Sequence, residues 1–124
     1  MKTKTQLDTQ TTVDSLRKEV REFMQERNWE QYHSPKNLGM SIAIEAAEIM
    51  EHFQWYSSEE SRKVVEDKQF RAEVTDEVAD VLIYCLTLAN QLDIDVSTAV
   101  RSKLERNRSR YPIGYMPTRS ETSS

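Results

Sequence analysis

Residues 68–92, KQFRAEVTDEVADVLIYCLTLANQL, are the stretch that decides the fold. Neither glycine nor proline interrupts this stretch, and its apolar side chains recur at helical spacing. From Val78 to Leu92 it is apolar almost all round, which is typical of a helix that is covered on most faces. We therefore expect a long helix here, buried partly by its own chain and partly by a second copy of the chain.

The segments on both sides of this stretch also show helical rather than strand spacing. Ser34 and Pro35 supply an N-cap and a proline at the first helical position, and Pro112 ends the last helix. The predicted helices run over residues 13–28, 35–55, 57–66, 68–92, and from a cap at Asp93 or Asp95 to residue 109. Together they predict an all-α fold, a helical bundle of four main helices with one short additional helix.

Length and composition favour one small domain. The chain has 124 residues and a net charge of -4, and we expect the domain to span residues 12–111. Residues 1–11 are polar and residues 112–124 are rich in Pro, Ser and Thr, which predicts a disordered N-terminal tail and a flexible C-terminal tail. Charged residues reach 31%, so a lone chain would have a thin core and a homo-oligomer is expected.

The composition also argues against several classes of function. The acidic balance disfavours nucleic-acid binding, and two glycines cannot build a glycine-rich phosphate loop. The longest apolar stretch, residues 78–89, is too short to span a bilayer. The N-terminal segment contains no apolar run, and the sequence has a single cysteine. Together these features predict a cytoplasmic protein with no membrane partner.

Two pairs of acidic residues interrupt apolar helix surface. Glu77 and Asp80 lie one turn apart, and a carboxylate at position 80, within the run VADVLI, would lose its hydration unless a cation replaced it. Glu45 and Glu48 repeat this spacing on the preceding long helix, which can run antiparallel. If the pairs face each other, their oxygens suit a hard cation such as Mg²⁺, with Mn²⁺ as a substitute.

Other interpretations of these carboxylates remain open. A single Glu-x-x-Glu pair is usually a solvated helix face, and only the second pair in an apolar segment favours a metal. A di-iron bundle needs two Glu-x-x-His units, whereas the only such spacing here joins Glu30 to His33 at a helix junction. His52 lies on the same stripe as the first pair but indicates no function by itself, and Cys85 is expected in the core.

The last predicted helix presents a basic face. Lys103, Asn107 and Arg110 lie at i, i+4 and i+7, with Tyr111 next to them. Such a face suits a polyphosphate, because arginine can clamp phosphate oxygens in a bidentate manner. The alternative is a solvated basic end that complements the helix dipole.

Aromatic side chains flank the helix predicted over residues 35–55. Trp29 lies before it and Trp55 at its end, and His33 lies between Trp29 and Pro35. Side chains in such places can sandwich a base, at about 1–3 kcal/mol per stacked base. The alternative is ordinary packing at the ends of the bundle.

These ordered motifs resemble the all-α nucleoside triphosphate pyrophosphatases, MazG-like in the broad sense, and within them the dCTP pyrophosphatase branch. The hallmark of that family is Glu-x-x-Glu followed by Glu-x-x-Asp, which stands here as EAAE at 45–48 and EVAD at 77–80. Further strings that resemble the branch are RNWEQYH at 27–33 with Pro35, Asn37 and Leu38, then FQW at 53–55, DVLIY at 80–84, Lys103, Asn107 and RYP at 110–112. The similarity runs from about Leu16 to Pro112.

The resemblance implies a homodimer or, more commonly in this branch, a homotetramer, with each site built from more than one chain. It implies hydrolysis of a nucleoside triphosphate, dCTP or a modified dCTP, between the α and β phosphates to give the monophosphate and pyrophosphate. The implied Mg²⁺ ligands are Glu45, Glu48, Glu77 and Asp80, and Glu45 or Glu48 would orient the attacking water. The implied triphosphate contacts are Lys103, Asn107, Arg110 and Tyr111, and the implied nucleoside pocket consists of Trp29, His33, Asn37, Trp55 and Tyr84. A dUTP-preferring or broad-specificity enzyme, and a non-catalytic nucleotide-binding module, are the alternatives.

Overall fold

The structure is a computed structural model that describes residues 6–116, and no strand occurs within that range. The helices are α1 (Val13–Glu26), α2 (Pro35–Phe53), α3 (Ser58–Val64), α4 (Lys68–Gln91) and α5 (Val96–Arg110), with 3₁₀ turns at Asp8–Gln10 and Trp29–Tyr32. The predicted all-α class is confirmed, and the ends of the predicted helices shift by one or two residues.

Side-chain caps explain where the helices begin. The Ser34 hydroxyl accepts a hydrogen bond from the backbone N–H of Asn37 at 3.2 Å, which starts α2. Asp95, rather than Asp93, caps α5, since its carboxylate accepts from the N–H of Thr98 at 3.0 Å. A cap of this kind typically stabilises a helix by about 1 kcal/mol.

The connection between α1 and α2 begins two residues earlier than predicted and contains a 3₁₀ turn. α1 ends before residue 28 because Asn28 has a φ of 54°, a left-handed conformation that asparagine adopts more readily than most residues. The 3₁₀ turn Trp29–Tyr32 then leads directly into the cap of α2.

The predicted tails fall partly within the structure. The 3₁₀ turn Asp8–Gln10 lies in the segment 1–11 that the sequence predicted as a disordered tail. At the other end, the N–H of Tyr115 donates to the carbonyl of Pro112 at 2.9 Å in a turn. Residues 1–5 and 117–124 of the predicted tails lie outside the described residues.

α2 and α4 are the most extensively packed helix pair, and they run antiparallel. His33, just before α2, meets Tyr84 in the second half of α4, with 6.2 Å between ring centroids. At the other end of α2, His52 meets Phe70 near the start of α4, with 5.8 Å between centroids. Residue numbers increase along α2 while the numbers of the residues that they contact on α4 decrease. The middle of one helix therefore faces the middle of the other.

The single chain shields few side chains completely. Among the described residues the buried ones are Met24, Leu38, Thr87 and Ala89. Large apolar side chains elsewhere on α2 and α4 are exposed, for example Ile44 at 59% and Leu82 at 55%. Cys85 is also exposed, so the prediction that it lies in the core is wrong for the single chain.

The described residues fall into two compact units, residues 6–94 and residues 95–116. The first holds α1 to α4, and the second holds α5 and the turn that follows it. Within residues 6–116, none of the helices has both the length and the apolar character needed to cross a membrane.

Candidate metal and nucleotide site

The acidic residues of α2 and α4 meet in the middle of the antiparallel pair. Glu45 and Glu48 lie one turn apart on α2, and Glu77 lies on α4. One carboxylate oxygen from each of these three side chains lies within 4.8 Å of the other two. Glu45 and Glu77 are half-buried and Glu48 is exposed, so the cluster is reachable from solvent. We call these three residues the carboxylate cluster.

Burial and mutual repulsion disfavour the ionised form of this cluster. Burial raises the pKa of Glu45, and the carboxylates of Asp80, Glu48 and Glu77 raise it further. Burial also raises the pKa of Glu77, as do Glu48 and Asp80, whereas His52 lowers it. When Glu77 is protonated it can donate a hydrogen bond to the Glu48 carboxylate, which raises the pKa of Glu77 further. A divalent cation would compensate the same charge, and three converging carboxylates fit such an ion.

Asp80 lies within electrostatic reach of the cluster but outside it. Its carboxylate raises the pKa of Glu45 and of Glu77, yet it is not among the three side chains whose oxygens converge. Its side chain is exposed in the single chain, so the dehydration predicted for this carboxylate requires a second copy and stays a prediction. The apolar neighbours that were expected to dehydrate it are themselves exposed, Val78 at 42% and Leu82 at 55%.

His52 contacts the cluster, although its sequence position indicated no function. Its Nε2 lies 3.8 Å from Oε1 of Glu77, and the two side chains are only 24% and 17% exposed. The signal in the sequence was its position four residues after Glu48, which puts both on one face of α2. That spacing gave no reason to expect Glu77 opposite the imidazole.

The structure brings together two of the residues implied for a nucleoside pocket. His33 and Tyr84 pack edge to face at 6.2 Å, and Nδ1 of His33 is buried with no hydrogen-bond partner among the described residues. Trp29 begins the 3₁₀ turn before α2 and packs edge to face on Phe23 at 5.5 Å while 42% of it is exposed. This end of α2 therefore has aromatic surface and one unsatisfied polar atom.

Asn37 and Trp55, which are also implied for the nucleoside pocket, are placed differently from His33 and Tyr84. The side-chain amide of Asn37 donates to the carbonyl of Tyr32 at 3.1 Å, a contact that fastens the 3₁₀ turn to α2. Trp55 follows the end of α2 and is 85% exposed. α2 has 19 residues, or about 28 Å at 1.5 Å per residue, so a single chain does not bring Trp55 to His33.

The residues implied for triphosphate contacts all lie in the second compact unit. Lys103, Asn107 and Arg110 follow one face of α5, and Tyr111 is its C-cap. The guanidinium carbon of Arg110 lies 5.2 Å from the centroid of the Tyr111 ring. Their contact with a phosphate stays a prediction.

The fold and the paired acidic motifs define an all-α protein with a candidate metal centre between two antiparallel helices. The family model described as MazG-like matches residues 40–122. The chain therefore belongs to the MazG-like family, which confirms the resemblance seen in the sequence.

Individual proteins similar to this chain carry related names. The chain is 40% identical over 102 residues to dCTP pyrophosphatase 1 of Rattus norvegicus, and 40% identical over 101 residues to that of Homo sapiens. These alignments cover 82% of this chain but only 60% and 59% of those proteins, so the chain spans about three fifths of their length. A crystal structure of a pyrophosphatase from Archaeoglobus fulgidus is 42% identical, with a TM-score of 0.75 over 90% of this chain and 99% of that one.

Proposed function

We propose that this chain is a Mg²⁺-dependent nucleoside triphosphate pyrophosphohydrolase that acts on dCTP or a modified dCTP. It would cleave between the α and β phosphates and release the nucleoside monophosphate and pyrophosphate. The observation that carries the proposal is the carboxylate cluster, in which the repulsion of three acidic groups favours a divalent cation. Similarity to proteins named dCTP pyrophosphatase 1 and to an archaeal pyrophosphatase supports the reaction and the base.

Glu45, Glu48 and Glu77 would hold the ion, and Asp80 would add a fourth carboxylate at the edge of the cluster. Bound Mg²⁺, for which Mn²⁺ is a substitute, supplies charge neutralisation and a lowered pKa of coordinated water. Glu45 or Glu48 would orient the attacking water, since phosphoryl transfer depends mainly on positioning and electrostatics. Of the two, Glu48 is the more accessible from solvent.

Lys103, Asn107, Arg110 and Tyr111 would bind the triphosphate. A cluster of carboxylates repels a polyphosphate unless cations outweigh it, and a lysine and an arginine on one helix face provide them. Arginine adds bidentate geometry to this charge. The carboxylates thus serve the ion and the basic face serves the substrate.

The nucleoside pocket would combine Trp29, His33, Asn37 and Tyr84 from one chain with Trp55 from another. This division follows from α2, whose length of about 28 Å separates the two groups within a chain. A homo-oligomer, a tetramer or a dimer, would also cover the apolar side chains that one chain exposes, among them Met40 at 54%, Ile44 at 59% and Leu82 at 55%.

The test is pyrophosphate release from a panel of canonical and 5-modified nucleoside triphosphates, with Mg²⁺ and with EDTA, and with the nucleotide product identified by chromatography. We expect monophosphate and pyrophosphate in equal amounts, fastest with deoxycytidine nucleotides and abolished by EDTA. Fastest turnover of dUTP, or equal turnover of all nucleotides, would overturn the base preference alone. Nucleotide binding without any release would indicate a non-catalytic module instead.

A further inference from the structure

His52 lies against the carboxylate cluster, and the proposed mechanism has no use for its side chain. It is only 24% exposed, and its Nε2 faces Oε1 of Glu77 at 3.8 Å. That separation exceeds a direct hydrogen bond, but contacts in ligand-free sites are often long and tighten when the ligand binds. The imidazole thus lies where a donor could hold one oxygen of Glu77.

The ring of His52 is held in place by aromatic packing. Phe70 meets it edge to face, with 5.8 Å between centroids. Phe70 in turn contacts Phe53 at 5.3 Å and Tyr56 at 6.0 Å, so three aromatic side chains fix the region around the imidazole. A ring oriented in this way can present its nitrogen to Glu77 at little further cost in side-chain entropy.

We propose that His52 is a positioning residue for the metal site, in which its Nε2–H donor keeps the Glu77 carboxylate turned toward Glu45 and Glu48. The inference rests on the proposed function, because it assigns His52 a role toward the ion that the cluster would bind. Groups that orient a metal ligand typically change metal affinity by 10- to 100-fold when they are removed.

The experiment titrates Mn²⁺ into the metal-free full chain and follows the free ion by electron paramagnetic resonance, a readout independent of turnover. His52→Leu removes the donor and keeps an apolar side chain against Phe70, whereas His52→Gln keeps an N–H near the position of Nε2. We expect His52→Leu to weaken Mn²⁺ binding by about 10- to 100-fold and His52→Gln to stay within about 3-fold of wild type. In turnover assays the Mg²⁺ concentration for half-maximal rate should rise with His52→Leu, while kcat at saturating Mg²⁺ is retained.

A matched control is Phe53→Leu, which disturbs the same aromatic packing without facing Glu77. It should lower the melting temperature and weaken Mn²⁺ binding far less than His52→Leu does, because the imidazole donor and its contact with Phe70 are retained. If His52→Leu fails to fold, His52→Met takes its place. Wild-type affinity in the folded donor-free variant, or equal weakening in that variant and His52→Gln, would overturn the positioning role alone. A wild-type chain that binds no Mn²⁺ would overturn the proposed function, and this inference with it.

Discussion

α4 carries two polar clusters, and they differ in whether their side chains hydrogen-bond to one another or repel one another. Near its end, the side-chain oxygen of Asn90 accepts from Nε of Arg17 at 2.9 Å and from Arg21 at 3.3 Å, and its amide donates to the carbonyl of Arg17 at 3.2 Å. In the middle of α4, Glu77 faces Glu45 and Glu48, and burial together with the neighbouring carboxylates raises the pKa of Glu45 and of Glu77.

This difference separates a structural contact from a functional one. The Asn90 side chain both accepts and donates hydrogen bonds between α4 and α1, so it stabilises the folded chain. The carboxylate cluster holds like charges together, and folding gains nothing from them without a cation. A polar group that opposes folding is better explained by what it binds, and the following variants test this distinction.

Glu48→Gln should have the largest effect on activity. It removes one of the three converging carboxylates while keeping the shape of the side chain, and we expect pyrophosphate release from dCTP to fall by at least about 100-fold, beyond the range for residues that only support a ligand. The metal-free variant should melt no lower than wild type, because a repulsive charge has been removed. The matched control is Glu51→Gln, the same change one turn further along α2 at an exposed position, which should keep wild-type turnover.

Asp80→Asn should have a smaller effect. Asp80 acts on Glu45 and Glu77 through its charge but is not one of the three converging carboxylates in this structure. We expect turnover to fall by at least about 10-fold and the Mg²⁺ requirement to rise, with the oligomer intact in size-exclusion chromatography. Asp76→Asn, an exposed position on the same helix, is the control. Full activity of the Asp80→Asn variant at low Mg²⁺ would remove Asp80 from the metal site.

Asn90→Ala should lower stability and leave activity unchanged, the reverse of what is expected for Glu48→Gln and Asp80→Asn. Loss of its side chain leaves Arg17 and Arg21 without their shared acceptor, which typically costs about 1–3 kcal/mol of unfolding free energy. Urea denaturation of the metal-free chain measures this loss. kcat and the Mg²⁺ requirement should stay near wild type, and a variant with normal stability but defective turnover would contradict the assignment of Asn90 to structure alone.

The two clusters also show what the sequence can predict. Helical spacing and the caps at Ser34 and Asp95 placed the helices to within one or two residues. The acidic pairs on α2 and α4 were expected to meet because the connection allows an antiparallel arrangement, and the structure brings Glu45, Glu48 and Glu77 together. Such features depend on local propensity or on the order of two long helices.

Features that depend on a partner at a distance in the sequence could not be predicted. The position of His52 on the face of Glu48 did not reveal its contact with Glu77, because Glu77 lies on another helix, 25 positions away. The burial expected for Asp80 and Cys85 requires a surface that a single chain does not provide. The separation of His33 from Trp55 already follows from the helix predicted over residues 35–55, but which chain would complete the implied pocket does not.

The pH dependence of stability should show the smallest effect. It measures the repulsion between the carboxylates of the cluster most directly. Folding raises the pKa of Glu45 and of Glu77, so it favours their protonated forms. Protonation of these two groups stabilises the fold fully when the pH is below 4.5, their pKa in the unfolded chain. This stabilisation is lost as the pH rises through the raised pKa values of the folded chain. The metal-free wild type should therefore gain stability from these two groups as pH falls from 7 toward 4.5.

Comparing wild type with Glu77→Gln isolates the contribution of the Glu77 carboxyl group to the pH dependence of stability. Melting temperatures of both proteins are measured between pH 7 and 4.5. Glu60 titrates in the opposite sense, because hydrogen bonds from Ser57 lower its pKa, but it contributes equally to both proteins and cancels in the difference. The wild type should gain more on acidification than Glu77→Gln does. Saturating Mg²⁺ should reverse the sign, because an ion that binds the ionised carboxylates stabilises the fold more as protons leave. If Mg²⁺ leaves the difference between the two proteins unchanged at every pH, the cluster does not bind the ion, and its like charges need another explanation.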